Sequence, residues 1–226
     1  MLLYLLSKNE QNAVALWHKT KSEYESKNPS LKESLEAYVS SSGKKNLEER
    51  MLVAALIMES LGHMKCFDHE CREPLALIKD GNGKPCFTGT NLRLSIAHNE
   101  DFVAVAYAKC GEIGIDIEGE IPTEKAQKLS KRFPHIASLE IEQNKDESRE
   151  KVIAFEMSDK GIFTPLKLTS ADNSFTAKWT AAEAIMKWDG RGFSALMEIP
   201  KLSKEISTSI QILEIKDKRI YISVAR

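Results

Sequence analysis

A basic surplus is missing from this 226-residue chain, in which 32 Lys and Arg stand against 33 Asp and Glu for a net charge of −1. Nonspecific nucleic-acid binding needs such a surplus, so no nucleic-acid partner is expected. A local basic pocket for a phosphate-bearing ligand stays open. Apolar runs of membrane-spanning length are also missing. Met1 to Leu6 is apolar but turns polar at Ser7-Lys8-Asn9-Glu10. It is too short for a signal-peptide core or a span, no basic region precedes it, and it reads as a buried first strand. The expectation is a soluble, cytoplasmic protein with no membrane partner. Cysteines number only four (Cys66, Cys71, Cys86 and Cys110), which does not suggest a disulfide scaffold at this length. His63, Cys66, His69 and Cys71 could offer two imidazoles and two thiolates to zinc. They are crowded together without the two separated pairs of a usual structural site, so a solvated loop with buried thiols is the competing reading. There is no internal repeat and no regular βαβ spacing.

What is present is ordinary for a folded chain: 42% hydrophobic and 29% charged residues, which argues against disorder. Leu47 to Leu61 predicts a helix, with Leu47, Met51, Ala54, Met58 and Leu61 in one stripe and Leu52, Leu56 and Ile57 on the rest. A helix apolar nearly all round is central. Glu48 and Glu49 suit its first turn and Arg50 does not; Arg50 is either a solvated side chain or an arginine kept to meet a bound phosphate. Leu92 to Ala97 alternates as a strand. Phe102 to Ala108 and Ile113 to Glu118 flank a turn at Lys109-Cys110-Gly111-Glu112, which predicts an antiparallel hairpin. After Gly119 the chain becomes helical and charged through about Arg149, and Lys151 to Ser174 is broken by Gly161, Pro165 and Asp172-Asn173. Phe175 to Asp189 predicts a second helix stopped by Gly190. Thr208 to Ile215 and Arg219 to Val224 predict a terminal hairpin. The fold class is α+β, with mainly antiparallel sheets packed on helices.

Several residues carry chemistry. Asp116 and Glu118 leave the same face of a strand, about 7 Å apart, with Ile113, Ile115 and Ile117 opposite. Two such carboxylates repel unless a cation joins them, and hard oxygens at this spacing suit Mg²⁺ together with substrate phosphates; the plainer reading is a solvated acidic strand face. Trp179, Glu183 and Lys187 line one helical face, Ala182, Ile185 and Met186 another. Glu183 and Lys187 also read as a surface i,i+4 pair. Asn82-Gly83-Lys84-Pro85 is a turn presenting a lysine, and His98 ends a strand at the lip of a pocket.

In chain order, Gly83-Lys84-Pro85, Leu94-Ser95-Ile96-Ala97-His98-Asn99, Ile113-Gly114-Ile115-Asp116-Ile117-Glu118 and Trp179-Thr180-Ala181-Ala182-Glu183-Ala184-Ile185-Met186-Lys187 resemble the 4'-phosphopantetheinyl transferase superfamily. Its patterns are G-K-P, F-N-x-S-H-S, G-I-D-I-E and W-x-x-K-E-A-x-x-K. Length and the long N-terminal part are similar to the surfactin-type branch. The resemblance implies a monomeric pseudo-dimer of two similar lobes, 1–118 and 119–226, with the active site in the cleft between them. It implies transfer of the phosphopantetheine arm of coenzyme A, as co-substrate, to a serine of an apo acyl or peptidyl carrier protein, with release of 3',5'-ADP. Asp116, Glu118 and Glu183 would hold Mg²⁺, or Mn²⁺ in its place. Lys187 would neutralise the phosphate nearest the pantetheine, and Arg50, Lys84, Pro85 and His98 would surround the adenosine and its 3'-phosphate. Asp116, Glu183 and Lys187 form the catalytic set, with Glu183, directly or through a water, as base.

Some positions depart from the patterns in ways that bear on the chemistry. Ala97 and Asn99 replace serines around His98, and Ala182 replaces the lysine before Glu183, removing one charge from the phosphate site. Lys178 and Lys160 are the cations expected to compensate. The alternative is therefore a catalytically weak or silent paralogue that binds coenzyme A or a carrier protein.

Overall fold

The computed structural model describes residues 1–9, 11–65, 74–109, 111–139, 152–215 and 218–226. Three helices follow the first strand, β1 (Leu2–Ser7): α1 (Ala13–Tyr24), α2 (Pro29–Ser40) and α3 (Leu47–His63). The first two begin where an asparagine can accept from an orphan N–H: Asn12 from Ala15 at 3.0 Å and Asn28 from Leu31 at 3.0 Å. Residues Leu52 through Leu61 of α3 are all buried, as a helix without a polar face requires. Its one buried carboxyl, Glu59, accepts from the Thr20 and Tyr24 hydroxyls at 3.0 and 3.4 Å.

Short strands β2 (Leu77–Lys79) and β3 (Pro85–Phe87) form a small sheet, and β4 (Arg93–His98), β5 (Phe102–Ala108) and β6 (Gly114–Gly119) follow. The charged stretch after β6 forms α4 (Thr123–Arg132) and α5 (Pro134–Ala137); its expected continuation to Arg149 lies outside the described residues. The region broken by Gly161 and Pro165 holds β7 (Ile153–Met157), β8 (Phe163–Leu166) and β9 (Thr169–Ser170). Then come α6 (Phe175–Asp189), α7 (Ile199–Glu205) and the expected terminal hairpin, β10 (Thr208–Ile215) with β11 (Lys218–Ala225).

Two larger sheets organise the molecule, one in the order β4-β5-β1-β7-β8 and the other β6-β11-β10-β9. Alternation along the strands sorts side chains into three apolar clusters. Tyr4, Leu6, Val103 and Val105 face α1, α2 and α3. Leu3, Leu5, Ala104, Ile115, Ile117, Ile222 and Val224 lie between the sheets. Tyr221 and Ala225 face Ala181, Ala184 and Ile185 of α6. The result is a mixed α+β stack in which two sheets meet face to face between two helical layers. Strands buried on both faces explain the unbroken apolar runs of β1 and β5. No helix among the described residues is long and apolar enough to cross a membrane.

The expected hairpin between β5 and β6 does not form. Both edges of β5 are occupied, by β1 and β4, and β6 pairs instead with β11, Asp116 opposite Ser223. A strand has two hydrogen-bonding edges, so once β5 is central the chain must cross to the other sheet. Ser95 of β4 steadies that crossing by accepting from the Ile115 N–H at 3.0 Å. Strand exchange runs both ways: β6 joins the sheet of C-terminal strands, and β7 and β8 extend the sheet built on β1. The division between the sheets therefore does not coincide with position 118. Of the four candidate zinc ligands only His63 is described; it shares a hydrogen bond with the Tyr4 hydroxyl at 3.1 Å and packs against Phe155 and Phe163, while Cys66, His69 and Cys71 lie outside the described residues.

Candidate active site

The site is built where β6 lies against α6. Ser174 caps the helix by accepting from the Ala177 N–H at 3.2 Å. Gly190, at φ +84°, ends it in the left-handed conformation that glycine tolerates, its N–H on the Met186 carbonyl at 3.0 Å. Gly114 at the start of β6 is required by packing rather than by φ. A Cβ there would collide with the Ala184 carbonyl and the Trp188 backbone nitrogen. Strand and helix can approach this closely only with glycine at 114. That approach sets Asp116 and Glu118 of β6 beside Glu183 and Lys187 of α6.

Asp116 is only 2% exposed. Its Oδ1 accepts from the Lys187 Nζ at 2.7 Å, and its Oδ2 is buried with no donor. Burial raises its pKa, opposed by Lys187. Glu183, pressed against the same carboxyl, is pushed up to about 8 by burial first and then by the Asp116 charge. Contact between the two carboxyls becomes a hydrogen bond when one carries a proton, and burial raises both, Glu183 to about 8, which favours one proton held between them. Glu118 is half-buried and raised by burial and by Asp116. The three acids thus share one electrostatic pocket, relieved by an ammonium on one member and a proton on another.

Among the described residues no three His, Cys, Asp or Glu side chains already stand as a metal-ligating group. Chemically the donor set fits a hard divalent cation: three carboxylates, one presenting a buried oxygen that lacks a donor.

On the open side of Lys187 lies a cavity of about 660 Å³ whose wall includes Arg50, Lys84, Pro85, His98 and Lys187. The structure therefore brings all five expected ligand-binding residues to one cavity, with the three acids behind Lys187. Arg50 is half-buried and tied down by the fold. Its Nη1 donates to the Tyr38 carbonyl at 2.8 Å and to the Ser41 Oγ at 2.7 Å, and the guanidinium lies 4.8 Å from the Tyr38 ring centroid. The cation that misfits the start of α3 satisfies the end of α2. Lys84, its side chain 10% exposed, donates to the Trp188 carbonyl at 3.1 Å and to Glu112 at 2.7 Å. It is delivered by a turn in which Asp80 accepts from the N–H groups of Asn82 and Lys84, with Gly83 at φ +85°. His98 lies 3.2 Å from Glu49, which Lys8 also grips. Burial, Lys8 and Lys187 hold the imidazole below its ordinary pKa, against Glu49. Sequence marks Glu49 only as a first-turn acid of α3; its partner Lys8, 41 residues away, carries no local signal.

Two expectations need correction, at Ala182 and at Lys178. Ala182 is 0% exposed and belongs to the apolar cluster under α6; it does not face the cavity, so a lysine there would meet the core and not a phosphate. Lys178 cannot compensate, because its ammonium caps α5 at the Ala137 carbonyl, 2.8 Å away. Trp179 packs on Phe133 and Phe175 rather than continuing the Glu183–Lys187 face as a ligand surface. Arg191 is spent on Asp189 and Glu198. Asn99 closes the β4–β5 turn, accepting from the N–H groups of Asp101 and Phe102.

No protein-family model matches the chain, and no curated protein matches it.

Proposed function

We propose that this chain is a divalent-cation-dependent 4'-phosphopantetheinyl transferase of the two-lobed, monomeric kind, acting in the cytoplasm on coenzyme A and an apo acyl or peptidyl carrier protein. One observation carries the reading: a carboxylate trio, with Asp116 buried and Glu118 and Glu183 half-buried, sits behind a lysine that also lines a cation-walled cavity. The cavity supplies what a nucleotide with a 3'-phosphate needs, two fixed cations (Arg50 and Lys84) and the His98 imidazole in the same wall.

In the proposed reaction the carrier serine Oγ forms a bond to the phosphorus nearest the pantetheine. The pyrophosphate P–O bond breaks and its oxygen leaves with 3',5'-ADP. Glu183, directly or through a water, takes the serine proton. Lys187 neutralises the phosphate under attack, and Arg50 and Lys84 hold the far end of the nucleotide so that the reacting atoms stay in line. Mg²⁺ or Mn²⁺, when held by Asp116, Glu118 and Glu183, supplies charge neutralisation for the pyrophosphate. The test is incubation with coenzyme A, Mg²⁺ and a panel of apo carrier proteins. A mass gain of one phosphopantetheine with stoichiometric 3',5'-ADP is expected; no transfer to any carrier would overturn the reading.

A module that binds coenzyme A without transferring it is the second reading, supported by the Lys187–Asp116 ion pair, which occupies a carboxylate the chemistry needs. Tight coenzyme A binding with no transfer would select it.

A further inference from the structure

Lys187 stands in two places at once in the account above, on a carboxylate and at a phosphate. Its ammonium lies 2.7 Å from Asp116 Oδ1, yet the side chain is 35% exposed and forms part of the cavity wall. The flexible four-carbon stem lets the ammonium reach either side by a change of rotamer alone. The backbone beneath it has no such freedom. α6 is fixed by its alanine face on β11, by the Gly114 contact and by the Gly190 cap. The neighbours that face Lys187 are Asp116, Glu118 and Glu183 on the inner side and His98 on the outer. With the ammonium on Asp116 Oδ1 and the free oxygen Oδ2 beside it, a divalent cation that takes the carboxylate repels the ammonium across a few ångströms of half-buried space and loosens its hold.

Building on the transferase reading, we propose that Lys187 is an exchangeable counter-ion. Its ammonium holds Asp116 until a divalent cation takes that carboxylate, and the displaced ammonium is then captured by a diphosphate-bearing ligand in the cavity. Cation and ligand each complete the other's site. Bound alone, the cation works against the Lys187 charge with nothing to receive it; bound alone, the diphosphate must draw Lys187 off a buried carboxylate. Together they cost neither. Linkage requires the effect to be mutual: whatever factor the ligand adds to cation affinity, the cation adds to ligand affinity. No bond is made or broken, so the exchange is complete before any transfer and can be read without a carrier protein.

The experiment measures Mn²⁺ binding by electron paramagnetic resonance at pH 8, with and without coenzyme A. The proteins are wild type, Lys187→Met and Lys125→Met, each checked for folding by thermal unfolding. Lys125 is the control because it acts on Glu118 through its field and makes no ion pair with Asp116. In the wild type, coenzyme A should tighten Mn²⁺ by about tenfold or more, within the usual range of coupling between sites. Lys187→Met should bind Mn²⁺ alone about tenfold tighter than the wild type and lose most of that coupling, while Lys125→Met shifts by less than about threefold. Lys187→Gln replaces the methionine variant if the latter does not fold. An unchanged or weaker Mn²⁺ affinity on removing Lys187, or an equal gain in Lys125→Met, overturns the exchange while leaving the transferase reading in place. Absence of Mn²⁺ binding in every protein, with or without coenzyme A, overturns both.

Discussion

In the cavity wall Arg50 and Lys84 donate hydrogen bonds to carbonyls at the C-termini of α2 and α6. Behind Lys187, Asp116 keeps a buried oxygen without a donor and Glu183 is driven up to about 8. The cations are fastened whether or not a ligand is present, because helix ends leave carbonyls that need donors. The carboxylates gain less from the fold, and the largest relief of their charge comes from Lys187, a proton or a metal. Removing a cation should therefore weaken the fold along with ligand binding, whereas removing a carboxylate should end the chemistry and spare the fold.

Asp116→Ala breaks the comparison hardest. Transfer should fall by about a thousandfold or more, as when charge stabilisation is lost at a reacting centre. Metal-free stability in urea should stay within about 1 kcal/mol of wild type or rise, since the buried member of the pair is the one removed and the ammonium left behind is partly solvated. A loss above about 3 kcal/mol would mark Asp116 as a structural counter-ion. Ala182→Lys comes next. Burying an unpaired ammonium against α6 should cost about 3 kcal/mol or more, with no gain in transfer; a folded, faster variant would show that position 182 reaches the phosphates after all.

Arg50→Met tests the fastened end. Loss of two charged hydrogen bonds and the Tyr38 stacking should cost about 1–2 kcal/mol in urea unfolding and raise KM for coenzyme A with little change in kcat. The smallest effect is one of pH. Because the folded-state pKa of Glu183 lies above its unfolded value, the native state binds the extra proton between the ordinary carboxyl range and about 8. Stability should decline as pH rises through that window and level off above it. Denaturation midpoints at pH 5.5, 7 and 8.5 should fall less steeply in Glu183→Gln. An unchanged slope would mean Glu183 does not hold that proton.

Much of the fold was readable because its signals are local. α6 runs from Phe175 to Asp189 and stops at Gly190, and β10–β11 form a hairpin, as periodicity and breakers implied. What could not be read is which edge meets which. β5 and β6 are separated by a plausible turn, but β5 is already flanked by β1 and β4, whose partnership is set by distant packing. The site divides the same way. Strand and helix periods put Asp116 with Glu118 and Glu183 with Lys187, while only the resemblance implied that the two pairs meet. Nothing local to Arg50 announced Tyr38 and Ser41, nor did anything near Glu49 announce Lys8 and His98. Position 182 carried two readings at once, apolar face and missing charge; its burial leaves the first.

The most direct test is the intact mass of apo carrier proteins after incubation with the wild-type protein and coenzyme A, in parallel with Mg²⁺ and with a chelator. The account predicts one phosphopantetheine added to at least one carrier in the first series and none in the second. Equal modification in both, or none in either, would contradict it.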